Sequence, residues 1–263
     1  MLIPFTKAHG ALNDFLLTFA ADAPEQARDG IAVAICDRHT GVGADGWMIV
    51  TPGETPAIEL YNSDGSRSEM SGNGTRCAAA LLISEGLAGS EVVIMTGAGA
   101  RQLRLLERQA DRFLFEMNMG VPTILELKAA IEVAGGVRDC TLLDVGNPQC
   151  AVFVTGFGFD WRKAGAELEV HERFPDRTNV SFVRLVDRNT LDVRFFERGA
   201  GETMSSGTGS TGAAAAALAR GEVDNPVRVL TPAGPLDLHW HGTHVFLTGP
   251  AEITAQGEFH YRP

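Results

Sequence analysis

The chain has 263 residues and a formal net charge of −11, with 44% hydrophobic and 21% charged residues, the composition of a globular protein with a full core. No basic face offsets the acidic balance, so neither nucleic acid nor an anionic membrane is expected as a partner, and no apolar run approaches the roughly 20 residues that span a bilayer. The stretch MLIPFTKAHGALNDF lacks the basic-then-apolar run of a signal peptide; the four cysteines (Cys36, Cys77, Cys140, Cys150) form no CxxC pair, which points to a reduced, cytoplasmic compartment.

Taken in chain order, PEQARDGIAVAICDRH (24–39) predicts a helix with Pro24 near its start. GWMIV and AIELY predict strands. A helix is expected from Ser71 to Gly86, a natural residue for the position after a helix end. EVVIMT, RQLRLLE and RFLFEMN then predict strands separated by the turn signals GAGA and RQAD. In the second half WRKAGAELEVHERF (161–174) predicts a helix, and NVSFVRLV and LDVRFFE predict strands around the turn DRNT. A helix from Ser206 to near Gly221 follows, then the meander VRVLT, LDLHWH, HVFLT. A boundary is expected near NMGVP (118–122). This gives domains of 1–118 and 119–248, with the tail 249–263 packing back on the first.

An offset of 135 superposes the halves without a gap. Ser71 falls on Ser206, Gly72 on Gly207, Gly74 on Gly209 and Ala78–Ala80 on Ala213–Ala215, with the register continuing to Leu103 on Leu238. The pattern reads as an internal duplication of a whole domain. The expected class is α+β: two pseudo-symmetric domains, each a largely antiparallel sheet with a central helix.

Glycines at a helix start let backbone N–H groups approach an anion, and the helix dipole favours negative charge there. Two such starts, facing each other, could hold one carboxylate and flank the adjacent carbon on both faces. Stereoinversion by proton transfer needs that arrangement, so the duplicated motif suggests a racemase or epimerase.

The motifs KAHGALNDF, CDRHTGVGADG, YNSDGSRSEMSGNGTRC, DVGNPQC, RFPDRTNV, ERGAGETMSSGTG and LTGPAEI, in this order, resemble the diaminopimelate epimerase family over nearly the full chain. The resemblance implies two pseudo-symmetric domains with the ligand site between them, and catalysis without pyridoxal phosphate or metal. It implies that Asn13, Asn62, Asn147, Asn179, Glu197 and Arg198 bind substrate or line the site. The amides of Gly72, Asn73, Gly207 and Thr208 would hold the reacting carboxylate. A homodimer is a further family expectation. Independently, Asn62 and Glu197 are themselves 135 apart, and the planar fork of Arg198 suits a distal carboxylate.

The chain departs from the family at the catalytic positions. Ser71 and Ser206 stand where the family pattern has cysteine, and Gln149 where it has histidine. A helix N-terminus can supply a thiolate near neutral pH, whereas a serine hydroxyl is a far weaker acid and glutamine cannot take a proton. Glu197 remains as a base. The sequence is read as an enzyme of this family that epimerises L,L- to meso-diaminopimelate, with Ser71, Ser206, Glu197 and Gln149 at the catalytic positions. Two alternatives stay open. One is a different proton transfer, such as dehydration or isomerisation of an amino or hydroxy acid; the other is a non-catalytic amino-acid-binding paralogue or an inactivated variant.

Other motifs have plainer readings. GTGSTG matches a dinucleotide fingerprint but does not directly follow its strand. HWHGTH reads as a hairpin before a metal pair. Ser71 and Ser206 can be N-caps as well as site residues. Cys77 and Cys150 read as core, His171 as an exposed helix end, and Glu197–Arg198 could be a structural ion pair.

Overall fold

The computed structural model describes residues 1–262. The chain forms two compact units: Met1–Met117 with the segment from Gly249 onward, and Asn118–Thr248. Pro263, the last residue of the expected tail, lies outside the described residues.

The first unit contains β1 (Leu2–Gly10), β2 (Asn13–Phe19), α1 (Arg28–Cys36), β3 (Gly46–Thr51), β4 (Ala57–Asn62), β5 (Arg67–Ser68), α2 (Gly72–Ser84), β6 (Glu91–Thr96), β7 (Gly99–Gln109) and β8 (Arg112–Gly120). Strand pairing runs β1–β2–β3–β4–β6–β7–β8, with β2–β3 and β4–β6 parallel and the rest antiparallel. The returning strand from Gly249 pairs with β8 and with β1, which closes these strands into a barrel. Helix α2 packs against β1, β2 and β6, and every residue from Gly72 to Leu82 is buried. A helix buried on all sides cannot be amphipathic, and the small side chains of Ala78–Ala80 let strands approach it closely.

The second unit contains β9 (Thr123–Val133), β10 (Gly136–Asp144), β11 (Pro148–Phe153), α3 (Trp161–Glu169), β12 (Asn179–Asp187), β13 (Thr190–Glu197), β14 (Gly201–Thr203), α4 (Gly207–Ala219), β15 (Val227–Thr231), β16 (Gly234–His241) and the start of β17 (His244–His260). Its ladder runs β9–β10–β11–β12–β13–β15–β16–β17, with β11–β12 and β13–β15 parallel. Helix α4 is buried from Gly207 to Ala217 and packs against β9 to β13, β15 and β16.

Two helices are shorter than the sequence predicts. Ala27 adopts a left-handed conformation (φ 55°), so α1 starts at Arg28 and not near Pro24. It stops at Cys36 because the Asp37 carboxylate accepts from the amides of His39 and Thr40 in a competing turn. Helix α3 stops at Glu169, and the rest of the expected helix becomes successive turns, with Phe174 N–H donating to the His171 carbonyl.

The far end of α4 is clamped to β10. Arg220 donates two bonds to Asp139 (2.7 and 2.8 Å) and others to Thr141 Oγ1 and the Cys140 carbonyl; its guanidinium lies 3.9 Å from the Phe153 ring centroid. The hydrogen bonds and charge of Arg220 hold the Asp139 carboxyl below its ordinary range. A depressed carboxyl contributes stability above its unfolded pKa and loses it as pH falls through the folded value. Asp139→Asn is therefore expected to lower the urea midpoint at pH 7. The difference should shrink as pH falls below about 4 and vanish once both forms of the position are neutral.

Candidate functional site

Both Ser-Gly-x-Gly segments form the same local structure. Ser71 and Ser206 are extended N-caps, each hydroxyl accepting from the amide three residues on: Gly74 at 3.1 Å and Gly209 at 3.0 Å. The second glycine of each motif is fixed by packing. A Cβ on Gly74 would lie 2.6 Å from Met48 Cε, and one on Gly209 would lie 2.8 Å from the Phe195 ring. The first-turn amides of an isolated helix lack intrahelical acceptors, so each start presents Gly72 and Asn73, or Gly207 and Thr208, as donors suited to an anion. Removing either cap, by Ser71→Ala or Ser206→Ala, is expected to cost about 1 kcal/mol in urea unfolding.

Beyond the caps the two starts differ. The Ser206 hydroxyl also donates to Glu197 Oε2 at 2.7 Å, and Thr203 Oγ1 donates to Glu197 Oε1 at 2.6 Å. Ser206 is 2% exposed. Its oxygen thus faces a carboxylate able to receive its proton, the relation of a nucleophile or proton carrier to its base. In the first unit the residue 135 positions before Glu197 is Asn62, whose amide donates to Ser66 Oγ at 3.0 Å. Among the described residues no carboxylate bonds Ser71.

The other second-unit positions lie close to this pair. Asn179 donates to the Pro148 carbonyl and accepts from the Arg198 amide; Arg198 Nη1 donates to the Asp176 carbonyl. Gln149 is the register partner of Asn179 and donates to Asn147 Oδ1 at 2.7 Å. It is 2% exposed, and its Oε1 is buried without a hydrogen-bond partner. A Cβ on Gly212 of α4 would sit 3.2 Å from Gln149 Cγ, so the glycine makes room for this side chain.

In the first unit Asn73 donates to Asn13 Oδ1 at 3.2 Å, and Asn13 donates to Asp45 Oδ2 at 2.7 Å. Arg38 bridges Asp45 and Asp14, and Lys7 bonds Asp14 and the Gly43 carbonyl. Burial pushes the Asp14 carboxyl up, but the bonds and charges of Arg38 and Lys7 outweigh it and hold Asp14 low. Burial and the charge of Asp14 raise Asp45. These ionic partners of Asn13 were missed in the sequence, as was Thr203. Each lies inside a motif that carries the family resemblance, Arg38 and Asp45 in CDRHTGVGADG and Thr203 in ERGAGETMSSGTG, and that is the signal that could have found them.

The core readings hold where the structure bears on them. Burial pushes the Cys77 thiol up to about 12. A bond to Cys140 and burial raise Cys150 well above its ordinary value, so neither is a ready nucleophile. His239 stacks on Phe246 across the β16–β17 hairpin, with ring centroids 5.2 Å apart.

Comparison with solved structures identifies the fold. It is shared with a hydroxyproline epimerase from Agrobacterium vitis (TM-score 0.82, 16% identity, covering 98% of this chain and 92% of the other). A PhzF-family phenazine biosynthesis protein from Bacillus anthracis also shares it (TM-score 0.76, 15% identity, 98% and 99%). The fold shared with these proteins is sheet-rich and contains a closed barrel. The model of the diaminopimelate epimerase family matches residues 5–125 and 141–254. Diaminopimelate epimerases of Pelotomaculum thermopropionicum and Moorella thermoacetica are 36% and 37% identical, over 98% and 97% of this chain and 99% and 98% of their own. The chain belongs to the diaminopimelate epimerase family.

Proposed function

We propose that this protein is a cytoplasmic, cofactor-independent isomerase of diaminopimelate, converting the L,L form to the meso form in lysine and cell-wall precursor synthesis. The observation that carries the reading is the Glu197–Ser206 hydrogen bond at a helix start whose Gly207 and Thr208 amides suit a carboxylate. Ser206 Oγ takes the α-proton as its own proton passes to Glu197, and the helix start holds the negative charge that develops on the substrate carboxylate. Inversion requires a second group to return a proton to the opposite face, and Ser71 is the residue the duplication pairs with Ser206 for that step. The same reading takes the two units as copies of one ancestral α+β domain, with Asn13, Asn62, Asn147, Asn179 and Arg198 orienting the substrate.

Diaminopimelate is expected to raise the melting temperature and to exchange its α-proton for deuterium in D₂O. Stabilisation without exchange would support the binding reading instead; neither effect with any amino acid would remove both.

A further inference from the structure

Among the largest fully buried side chains is a charged one. Arg76, in the second turn of α2, is 0% exposed. Its Nε donates to the Pro250 carbonyl at 3.0 Å, Nη1 to the Gly72 carbonyl at 3.3 Å, and Nη2 to Asn73 Oδ1. All three acceptors are neutral, and no carboxylate of the described residues pairs with it. Burial lowers its pKa to about 10, so it stays protonated at neutral pH. An unpaired buried ion is strongly disfavoured, and such groups are normally matched by an opposite charge.

The second unit shows what purely structural duty this position carries. The residue 135 further on is Thr211, whose hydroxyl bonds the Gly207 carbonyl at 2.8 Å. A threonine thus satisfies the carbonyl that corresponds to Gly72, without charge. The first unit instead makes space for a guanidinium. A Cβ on Gly10 would come within 3.2 Å of Arg76 Nη2 and 3.1 Å of Asn73 Cα.

We propose that Arg76 is the charge behind the α2 anion cradle, and that its counter-ion is a ligand carboxylate held in front of it by Gly72 and Asn73. The inference rests on the proposed function only in taking a carboxylate as the group at that helix start. Arg76 is a positioning residue: it reaches the ligand through Asn73, whose Oδ1 it grips, and through the field it adds to the helix dipole. Proton removal next to a carboxylate pushes further negative charge onto the oxygens, and a fixed buried cation stabilises that state more than the ground state. The halves then divide the labour, a cation behind α2 and a carboxylate base at α4.

The test uses the isotope-labelled full chain titrated with acetate, and with acetamide as the neutral control. In the wild type the Gly72 and Asn73 amides and the Arg76 Nε–H signal should shift with acetate at one common Kd and not with acetamide. Arg76→Gln should weaken acetate binding about tenfold or more, while Arg76→Lys, which keeps the charge, should recover most of it. Wild-type signals unmoved by acetate would overturn the inference without any variant having to fold. So would Arg76→Gln binding as tightly as wild type, or Arg76→Lys as weak as Arg76→Gln in folded proteins. If these acetate results hold but diaminopimelate neither binds nor exchanges, the inference stands and the proposed substrate falls.

Discussion

With L,L-diaminopimelate in D₂O, α-proton exchange is expected to outpace formation of the meso form by about tenfold or more, a gap within the range one general acid–base group contributes. The reason is the inequality of the helix starts. Ser206 has a carboxylate at 2.7 Å to take its proton, whereas no described carboxylate bonds Ser71 and the residue 135 positions before Glu197 is Asn62, an amide. A proton removed by the Ser206–Glu197 pair then returns to the same face more often than the other face is protonated. Ser71→Cys/Ser206→Cys is expected to bring inversion up to the exchange rate, because a helix N-terminus lowers a thiol pKa. Equal exchange and inversion rates in the unmodified protein would show that another base serves the Ser71 face. Exchange with no inversion, even with both thiols restored, would favour a different proton transfer, such as dehydration or isomerisation of an amino or hydroxy acid.

Glu197→Gln should reduce exchange by about 10²–10⁴-fold while costing less stability than an apolar replacement, since the amide oxygen can accept from one of the Thr203 and Ser206 hydroxyls and its NH₂ can donate to the other. Single-turnover exchange followed by NMR, with melting curves as a control, separates the two effects. Asn62→Glu is the mirror experiment: it places an acid at the corresponding position of the first unit and should raise inversion relative to exchange. A Glu197→Gln protein that exchanges at the wild-type rate would remove Glu197 as the base.

The parts of the site that were legible in the sequence are those written as local backbone chemistry. Ser71 and Ser206 announce their helices because an N-cap followed by packed glycines is a short-range signal, and α2 and α4 begin where it places them. The start of α1 was not legible, because Ala27 adopts a left-handed conformation that its residue type does not advertise. Arg76 was hidden for a different reason. An arginine inside TRCAAALLI reads as an ordinary exposed helical residue, and only the barrel strands around α2 make it a buried ion. The pairing within the Asp14–Arg38–Asp45 network was not legible either: the motifs name the residues, but which of them meet is set by tertiary packing between two segments.

The glycine-opened helix starts have a consequence for how such a protein can change over time. What they offer an anion is main chain, held in place by the caps and by the glycines that fit against Met48 and Phe195. A substitution at position 71 or 206 that keeps a capping side chain alters the reactive atom and leaves those amides where they are. Recognition and reactivity are thus written in separable parts of the chain. A lineage can exchange one reactive group for another without first losing its ligand, so new chemistry begins from a molecule that still captures its substrate.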